Sequence, residues 1–498
     1  MTVDRRTFLV GAATGAAVLA LTACVGPPTP IPTTAAGTPT PTPGAVPRPN
    51  GFIRSNWAAD PFSLGSTSYL PTGSAPDARE VLGESVSDRI FFAGEATSTE
   101  FPGTLNGAQS SGARAAADVL QTASDGERIG IIGAGLAGAA AAKALVAAGY
   151  EVLVFEGRDR VGGRVDAHGP GDWPVVVDLG PSFVRGVDSS TLTDSLAELD
   201  VVTVAVDATS RVQLTVASDA VPDNAVGPDA LAAAVTWGAL QSRDPSLTAS
   251  LAGSGGASVD GTADEIGVSP ASRVAEYVDR TVVTVLGADA AQLSTWYGLD
   301  DVAQGEGGDA FVVGSALPLV TELLDGADVA LSTPVREVSV DDDAVRLKMA
   351  TGESLRVDRV IVTVPLGVLQ SDSITFDPPL PFAHRSAIAS LGSGAVEKVW
   401  LRYDTPFWTE EAAFWSLVVD SPPFSADEAS SLAATPSPSP DAADSILIRQ
   451  WINLMPLTGD AVLIGLIGGS DALALSELGD DDVREIALAS LQPFLPAP

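Results

Sequence analysis

The chain is short of the residues that most thiol, metal and nucleic-acid chemistry needs. Among its 498 residues there is one cysteine, Cys24, so an intramolecular disulfide is impossible. Two histidines, His168 and His384, stand far apart, too few and too scattered for a metal centre. Neither suits a general base, and both are expected at the surface. Positive charge is scarce too, with 27 Lys and Arg against 63 Asp and Glu and a formal net charge of −36. Such a chain repels phosphate backbones, which excludes nucleic acid as a partner. The apolar run near the N-terminus, from Thr7 to Ala23, is too short for a membrane span. What remains is 45% apolar and 18% charged, a globular composition, at a length that favours two domains.

That first run has the marks of an address. Asp4-Arg5-Arg6-Thr7-Phe8-Leu9 matches a twin-arginine export signal, and Leu21-Thr22-Ala23-Cys24 matches a lipoprotein box. Residues 1–24 are therefore expected to be a signal. Cys24 would carry a lipid that anchors the exported protein on the outer side of the cell membrane without spanning it. Residues 25–50, rich in Pro and Thr, cannot bury a core and are expected to form an extended tether. The twin-arginine route carries folded proteins, which suits one that takes up a cofactor before export.

The stretch from Arg128 to Arg164 carries the strongest local pattern. Ile129 to Ile132 are β-branched apart from Gly130, as in a short buried strand. Gly133, Gly135 and Gly138 then fit G-x-G-x-x-G, and the alanine-rich segment to Ala148 is helix-forming. In such a turn the first glycine takes the tight bend and the second lets a pyrophosphate approach the backbone. The third lets the helix pack on the strand. Free N–H groups at the helix start face the phosphates. Gly149 ends the helix, Val152 to Phe155 form the next strand, and Glu156 follows. A carboxylate there accepts hydrogen bonds from ribose hydroxyls and repels a 2′-phosphate. Strand, turn, helix and acid together predict a dinucleotide site in an α/β, Rossmann-like domain.

Arg158-Asp159-Arg160-Val161-Gly162-Gly163-Arg164 comes next and resembles the second signature of the FAD-dependent amine oxidases. Further matches follow. Arg89 to Ala108 (RIFFAGEATS, then FPGTLNGA) resembles the last FAD-binding element of that family. Val177 to Gly186 (VDLGPSFVRG) and Leu391 to Trp408 resemble two more of its segments. The resemblance covers about 51–498 and implies a Rossmann-like FAD-binding domain plus an α+β substrate domain. FAD-binding parts are expected at 51–122, 126–186 and 306–370, and substrate-domain parts at 187–305, mostly helical, and 371–498. In the family the nucleotide fingerprint comes first and the Arg89–Ala108 block last. The reversed order here implies a circularly permuted chain. The Ser-, Pro- and Asp-rich residues 420–445 are expected to be a disordered insertion.

The resemblance also implies roles. Arg158, Gly163 and Arg164 approach the FAD pyrophosphate, Gly94 and Glu95 reach the ribityl chain, and Thr104 and Leu105 open a helix facing the flavin's pyrimidine end. The Val335 backbone holds the adenine. Lys398 matches the family lysine that hydrogen-bonds a water next to flavin N5, and is the expected catalytic residue. Cys24 being the sole cysteine, no thiol remains for covalent attachment in the folded body, so FAD is expected to bind non-covalently. The implied reaction moves a hydride from the carbon bearing an amine to the flavin. Imine hydrolysis then gives an aldehyde, and oxygen returns as hydrogen peroxide. Where many members carry two tyrosines flanking the amine, this chain has Thr67 and Thr104, so Tyr69, Phe183 or Trp296 would have to compensate. Arg185, in place of a family histidine, could pair with a carboxylate. Three alternatives remain open at this point: an L-amino-acid oxidase, a desaturase-like relative, or a lipoprotein that carries FAD without catalysis.

Overall fold

The computed structural model describes residues 44–496, apart from 170, 190–191, 208–209, 300–307, 342–343 and 426–445. The signal, Cys24, the tether up to residue 43 and most of the 420–445 insertion lie outside the described residues.

A parallel sheet of five strands holds the dinucleotide pattern. Its order is Asp328–Ala330, Glu151–Phe155, Arg128–Ile132, Arg359–Val362, Ile90–Phe92, and every pairing is parallel. The strands are short and β-branched because both faces are covered. Alternation sorts their side chains. Phe91, Ile129, Ile131, Val154 and Ile361 face two helices, Leu105–Thr122 and Leu136–Ala147. Ile90, Phe92, Val360 and Val362 face an antiparallel layer of Val335–Val340, Val345–Met349 and Ser354–Val357. The two helices approach closely because Gly112 has no side chain. A Cβ there would lie 2.1 Å from the Ala137 carbonyl oxygen.

Residues from the 51–122 stretch are integral to this layer. Ile90–Phe92 forms an edge of the sheet beside Arg359–Val362, and Leu105–Thr122 leads within a few residues into Arg128–Ile132. Thr104 caps that helix: its hydroxyl accepts from the Gly107 N–H at 3.0 Å and donates to the Phe101 carbonyl at 2.7 Å.

A second sheet of six strands lies behind the cavity. Its order is Gly51–Arg54, Val396–Arg402, Val462–Gly468, Gln450–Asn453, Phe414–Val418, Arg211–Thr215, antiparallel except for the last pairing. Helices Val226–Ala239, Leu247–Ser254 and Pro270–Val278 form a separate apolar cluster. The 187–305 region is less helical than its Ala and Leu content suggests. Val202–Ala205 and Arg211–Thr215 are strands, as their alternating Val and Leu residues prefer.

One histidine departs from expectation. His168 is exposed, but His384 is buried, its ring 5.4 Å from that of Phe92 and Nε2 3.1 Å from the Glu84 carbonyl. It sits on the buried face of Phe382–Ser390, together with Ala387 and Ile388.

Candidate active site

The two glycine turns meet at the end of the parallel sheet. The Gly162 N–H donates to the Ala134 carbonyl at 2.9 Å, lacing the second turn onto the first. Gly133 (φ +109°) and Gly163 (φ +61°) adopt backbone conformations that a side chain would strain. Above Gly135 a Cβ would meet nothing nearer than 3.7 Å, so that backbone stands open to the cavity. Gly138 does not line the cavity. It seats the helix on the turn, since a Cβ there would lie 2.0 Å from the Gly133 carbonyl oxygen. Glu156 braces both turns. Its carboxylate accepts from the Ala134 N–H and from the Arg158 N–H, each at 2.8 Å. Removing it leaves both N–H groups unpaired, so Glu156→Ala is expected to weaken dinucleotide binding by about 10- to 100-fold. Titration of the cofactor-stripped protein measures this.

Two arginines of the second signature, Arg158 and Arg164, are held by the Asn56–Tyr69 segment. Arg158 donates to Asp60 at 2.9 and 3.1 Å and to Ser63 at 2.8 Å. Arg164 donates to the Ser66 carbonyl at 2.8 Å and to Glu95 at 3.1 Å. Glu95 also accepts from Ser68 at 2.6 Å and from the Gly103 N–H at 2.9 Å. Burial pushes its carboxyl up, yet Arg164, Arg79 and Ser68 together hold it below its ordinary value. Glu95 is thus a charged hub joining the two halves of the site.

Gly133, Gly135, Gly163, Glu156, Arg158, Arg164 and Glu95 line one cavity of about 740 Å³, within the range of cofactor sites. Gly94, Thr104, Leu105, Thr363 and Val335 share its wall with both glycine turns, and Lys398 stands on it too. A glycine-walled turn at a helix start, beside a braced carboxylate, fits the pyrophosphate and ribose of a dinucleotide. The donor set present therefore suits FAD.

Lys398 projects from Val396–Arg402 and is 7% exposed, so it is no surface-seeking side chain. Its Nζ donates to Ser182 Oγ at 2.5 Å and to the Gly180 carbonyl. Burial pushes the ammonium down to about 8, opposed by nearby Asp178. The Asp178 carboxyl is itself raised by burial, against the pull of Lys398. The next residue, Glu397, points away from the cavity and is raised by burial to about 7. Its carboxylate accepts from Ser55 and from the Ala58 N–H.

At the substrate end the structure divides the expected residues. Thr67, Phe183 and Arg185 line the cavity, but Tyr69 does not. Tyr69 packs over Gly392 into the helical cluster, where burial lifts its hydroxyl to about 12. Trp296 also lies off the cavity, its Nε1 donating to the Gly238 carbonyl. Arg185 is already paired with Asp309 at 2.5 Å, so it is not free to receive a carboxylate. The aromatic wall comes instead from Trp57, Phe183, Phe414, Trp415 and Trp451, of which the sequence pointed only to Phe183. Arg211, Arg280 and Gln450 were missed as well. They lie on separate elements and share no motif.

The residues 41–120 and 136–498 match the family model described as flavin containing amine oxidoreductase. Polyamine oxidase 4 of Oryza sativa subsp. japonica is 27% identical over 399 residues, covering 74% of this chain and 72% of that protein. Polyamine oxidase 2 of Arabidopsis thaliana is 25% identical over 399 residues, with the same shares of each. Lysine-specific histone demethylase 1 homolog 2 of Arabidopsis thaliana is 30% identical over 291 residues, 56% of this chain and 38% of that one. Among solved structures, a triple mutant of putrescine oxidase redesigned in its cofactor binding shares the fold. Its TM-score is 0.53 at 21% identity, over 74% of this chain and 81% of that one. The chain belongs to the flavin-containing amine oxidoreductases and is an enzyme that oxidises amines.

Proposed function

We propose that this protein is a non-covalent FAD oxidase acting on the carbon next to an amine, with Lys398 as its catalytic residue. What carries this is the single cavity that joins the glycine turns and Glu156 to Lys398 and an aromatic wall. When bound, FAD supplies the electron acceptor for the C–H bond beside the amine. Gly135, Leu136, Ala137, Gly163 and Arg164 would hold its pyrophosphate region, and Glu156 its ribose. Val335 would hold the adenine, and Gly94, Glu95, Thr104 and Leu105 the flavin side. Lys398 Nζ, fixed by Gly180 and Ser182 and neutral above about pH 8, holds a water or takes a proton at the cavity wall. Trp57, Phe183 and Trp451 exclude bulk water from the amine. Non-covalent binding is supported by a described lining without Cys, His or Tyr. The protein should be isolated yellow, release its flavin on denaturation, and form peroxide with an amine. A colourless protein, or a yellow one that oxidises no amine, would refute the proposal.

The same reading extends to the chain's order and address. A circular permutation in which 51–122 corresponds to the family's C-terminal FAD-binding part would account for a family match that falls in two blocks, 41–120 and 136–498. The nucleotide-binding and substrate domains would divide as the sequence suggests. Twin-arginine export and lipidation at Cys24 place the enzyme on the outer membrane face, with oxygen as acceptor. Cys24→Ser should move the protein from the membrane fraction to the soluble one. Unchanged fractionation would remove the anchor from the proposal.

A further inference from the structure

In the six-stranded sheet three strands separate Val396–Arg402, which carries Lys398, from the edge strand Arg211–Thr215, and that distant part of the cavity wall is basic. Arg211 opens the strand Arg211–Thr215. Arg280 sits in a π-helical turn, Asp279–Val283, that interrupts the helical run from Pro270 to Leu286. Such turns re-aim side chains, and this one brings Arg280, Thr281 and Thr284 onto the cavity wall. Both arginines share that wall with Lys398, Gln450 and Trp451.

The nearby acids pair one of them and leave the other unpaired. Arg280 Nε donates to Glu276 at 3.0 Å, and the other oxygen of Glu276 accepts from Gln213 at 3.2 Å. The Arg211 guanidinium makes no hydrogen bond and no ion pair among the described residues. Burial pushes its guanidinium down to about 10, with Arg280 adding to that and Glu276 and Asp223 opposing it. It therefore stays charged at neutral pH. Among described residues the acids lining the cavity are Glu95, Glu156 and Asp309. Arg164 holds the first, backbone N–H groups the second and Arg185 the third. A diamine spanning the cavity from Lys398 would bring its distant ammonium against the unpaired Arg211 guanidinium. A carboxylate would meet the planar fork that suits it.

We propose that Arg211, with Arg280 beside it on the wall, receives a carboxylate on the part of the substrate away from Lys398, so that the enzyme prefers amino-carboxylates to diamines. This rests on the amine-oxidase reading above, whose failure the test separates from its own. Alkylamines, α,ω-diamines and amino acids matched in chain length would be assayed for flavin reduction and peroxide, with wild type, Arg211→Gln, Arg211→Lys and Arg280→Gln. The best amino-carboxylate is expected to exceed the best diamine in kcat/KM by about 10-fold or more. Arg211→Gln should raise KM for that substrate about 10- to 100-fold more than KM for the matched alkylamine, with kcat nearly constant. Arg211→Lys should recover part of the loss. Should Arg280→Gln fail to fold with Glu276 left unpaired, Arg211→Gln decides alone, since Arg211 has no partner to orphan. Preference for diamines, or equal KM changes for alkylamine and amino-carboxylate, would overturn the proposal and leave amine oxidation standing. Reduction by no amine at all would overturn both.

Discussion

Lys398→Met is expected to lower kcat for amine oxidation by at least about 100-fold while flavin content stays at the wild-type level. Methionine is close to lysine in length and apolar, so it fills the same buried space against Gly180 and Ser182. It cannot hold a water or accept a proton. Asp178 keeps the Gly180 N–H as a partner, at 2.7 Å, when the ammonium is lost. The sign of the pH dependence follows from the same burial. The ammonium is pushed from its ordinary value of 10.5 down to about 8, so its neutral form predominates above about pH 8. Wild-type kcat should therefore rise with pH through about 8 and level off, and this limb should be missing in Lys398→Met. Stopped-flow reduction across pH 6–10 measures both. A full rate in the methionine variant, with the limb intact, would reduce Lys398 to a structural side chain.

Gly138→Ala is expected to abolish stable flavin binding, through packing and not through contact with the cofactor. The added methyl would stand 2.0 Å from the Gly133 carbonyl oxygen and 3.1 Å from Thr363 Oγ1. Neither neighbour can retreat. Gly133 is held in the left-handed region, and Thr363 donates to the carbonyls of Ile132 and Gly133 at 2.9 and 3.2 Å. The helix Leu136–Ala147 would have to lift from the turn, taking with it the N–H groups that face the cofactor. A cost above about 4 kcal/mol places the substitution among the severe ones. Gly169→Ala is the control, because a Cβ there meets nothing within 4 Å, and its effect should stay within about 0.5 kcal/mol. Flavin-to-protein ratio and thermal midpoint, read side by side, give the result.

The two halves of the site differ in how far the sequence revealed them. Gly133, Gly135, Gly138, Glu156 and the Val161–Arg164 turn do their work through local backbone geometry, which adjacent residues determine. Motif spacing therefore pointed to them, though the Ala134 and Arg158 N–H groups that brace Glu156 appear only in the structure. Lys398 was found because it lies in a strand with a recognisable frame. The substrate end was much less legible. Its wall is assembled from Arg211, Arg280, Phe414 and Trp451, each from a different strand or helix, and no short pattern joins them. Tyr69 shows the converse. It shares a strand face with cavity residue Thr67, yet it stands at the end of that short strand, where its ring packs over Gly392 into the helical cluster. Arg185 was correctly placed on the cavity, but its partner Asp309 is 124 positions away and its pairing could not be foreseen. His384 was misjudged because a polar residue in a short helix is expected outside, whereas here the apolar face of that helix includes it.

Anaerobic mixing of the flavin-loaded wild-type protein with a panel of amines tests the central claim most directly. Amine oxidation at this cavity predicts full bleaching of the flavin by at least one amine, with one imine or aldehyde formed per flavin reduced. Reduction should slow by about 100-fold or more in Lys398→Met. Flavin that stays oxidised under every amine, or that bleaches equally fast without Lys398, would contradict it.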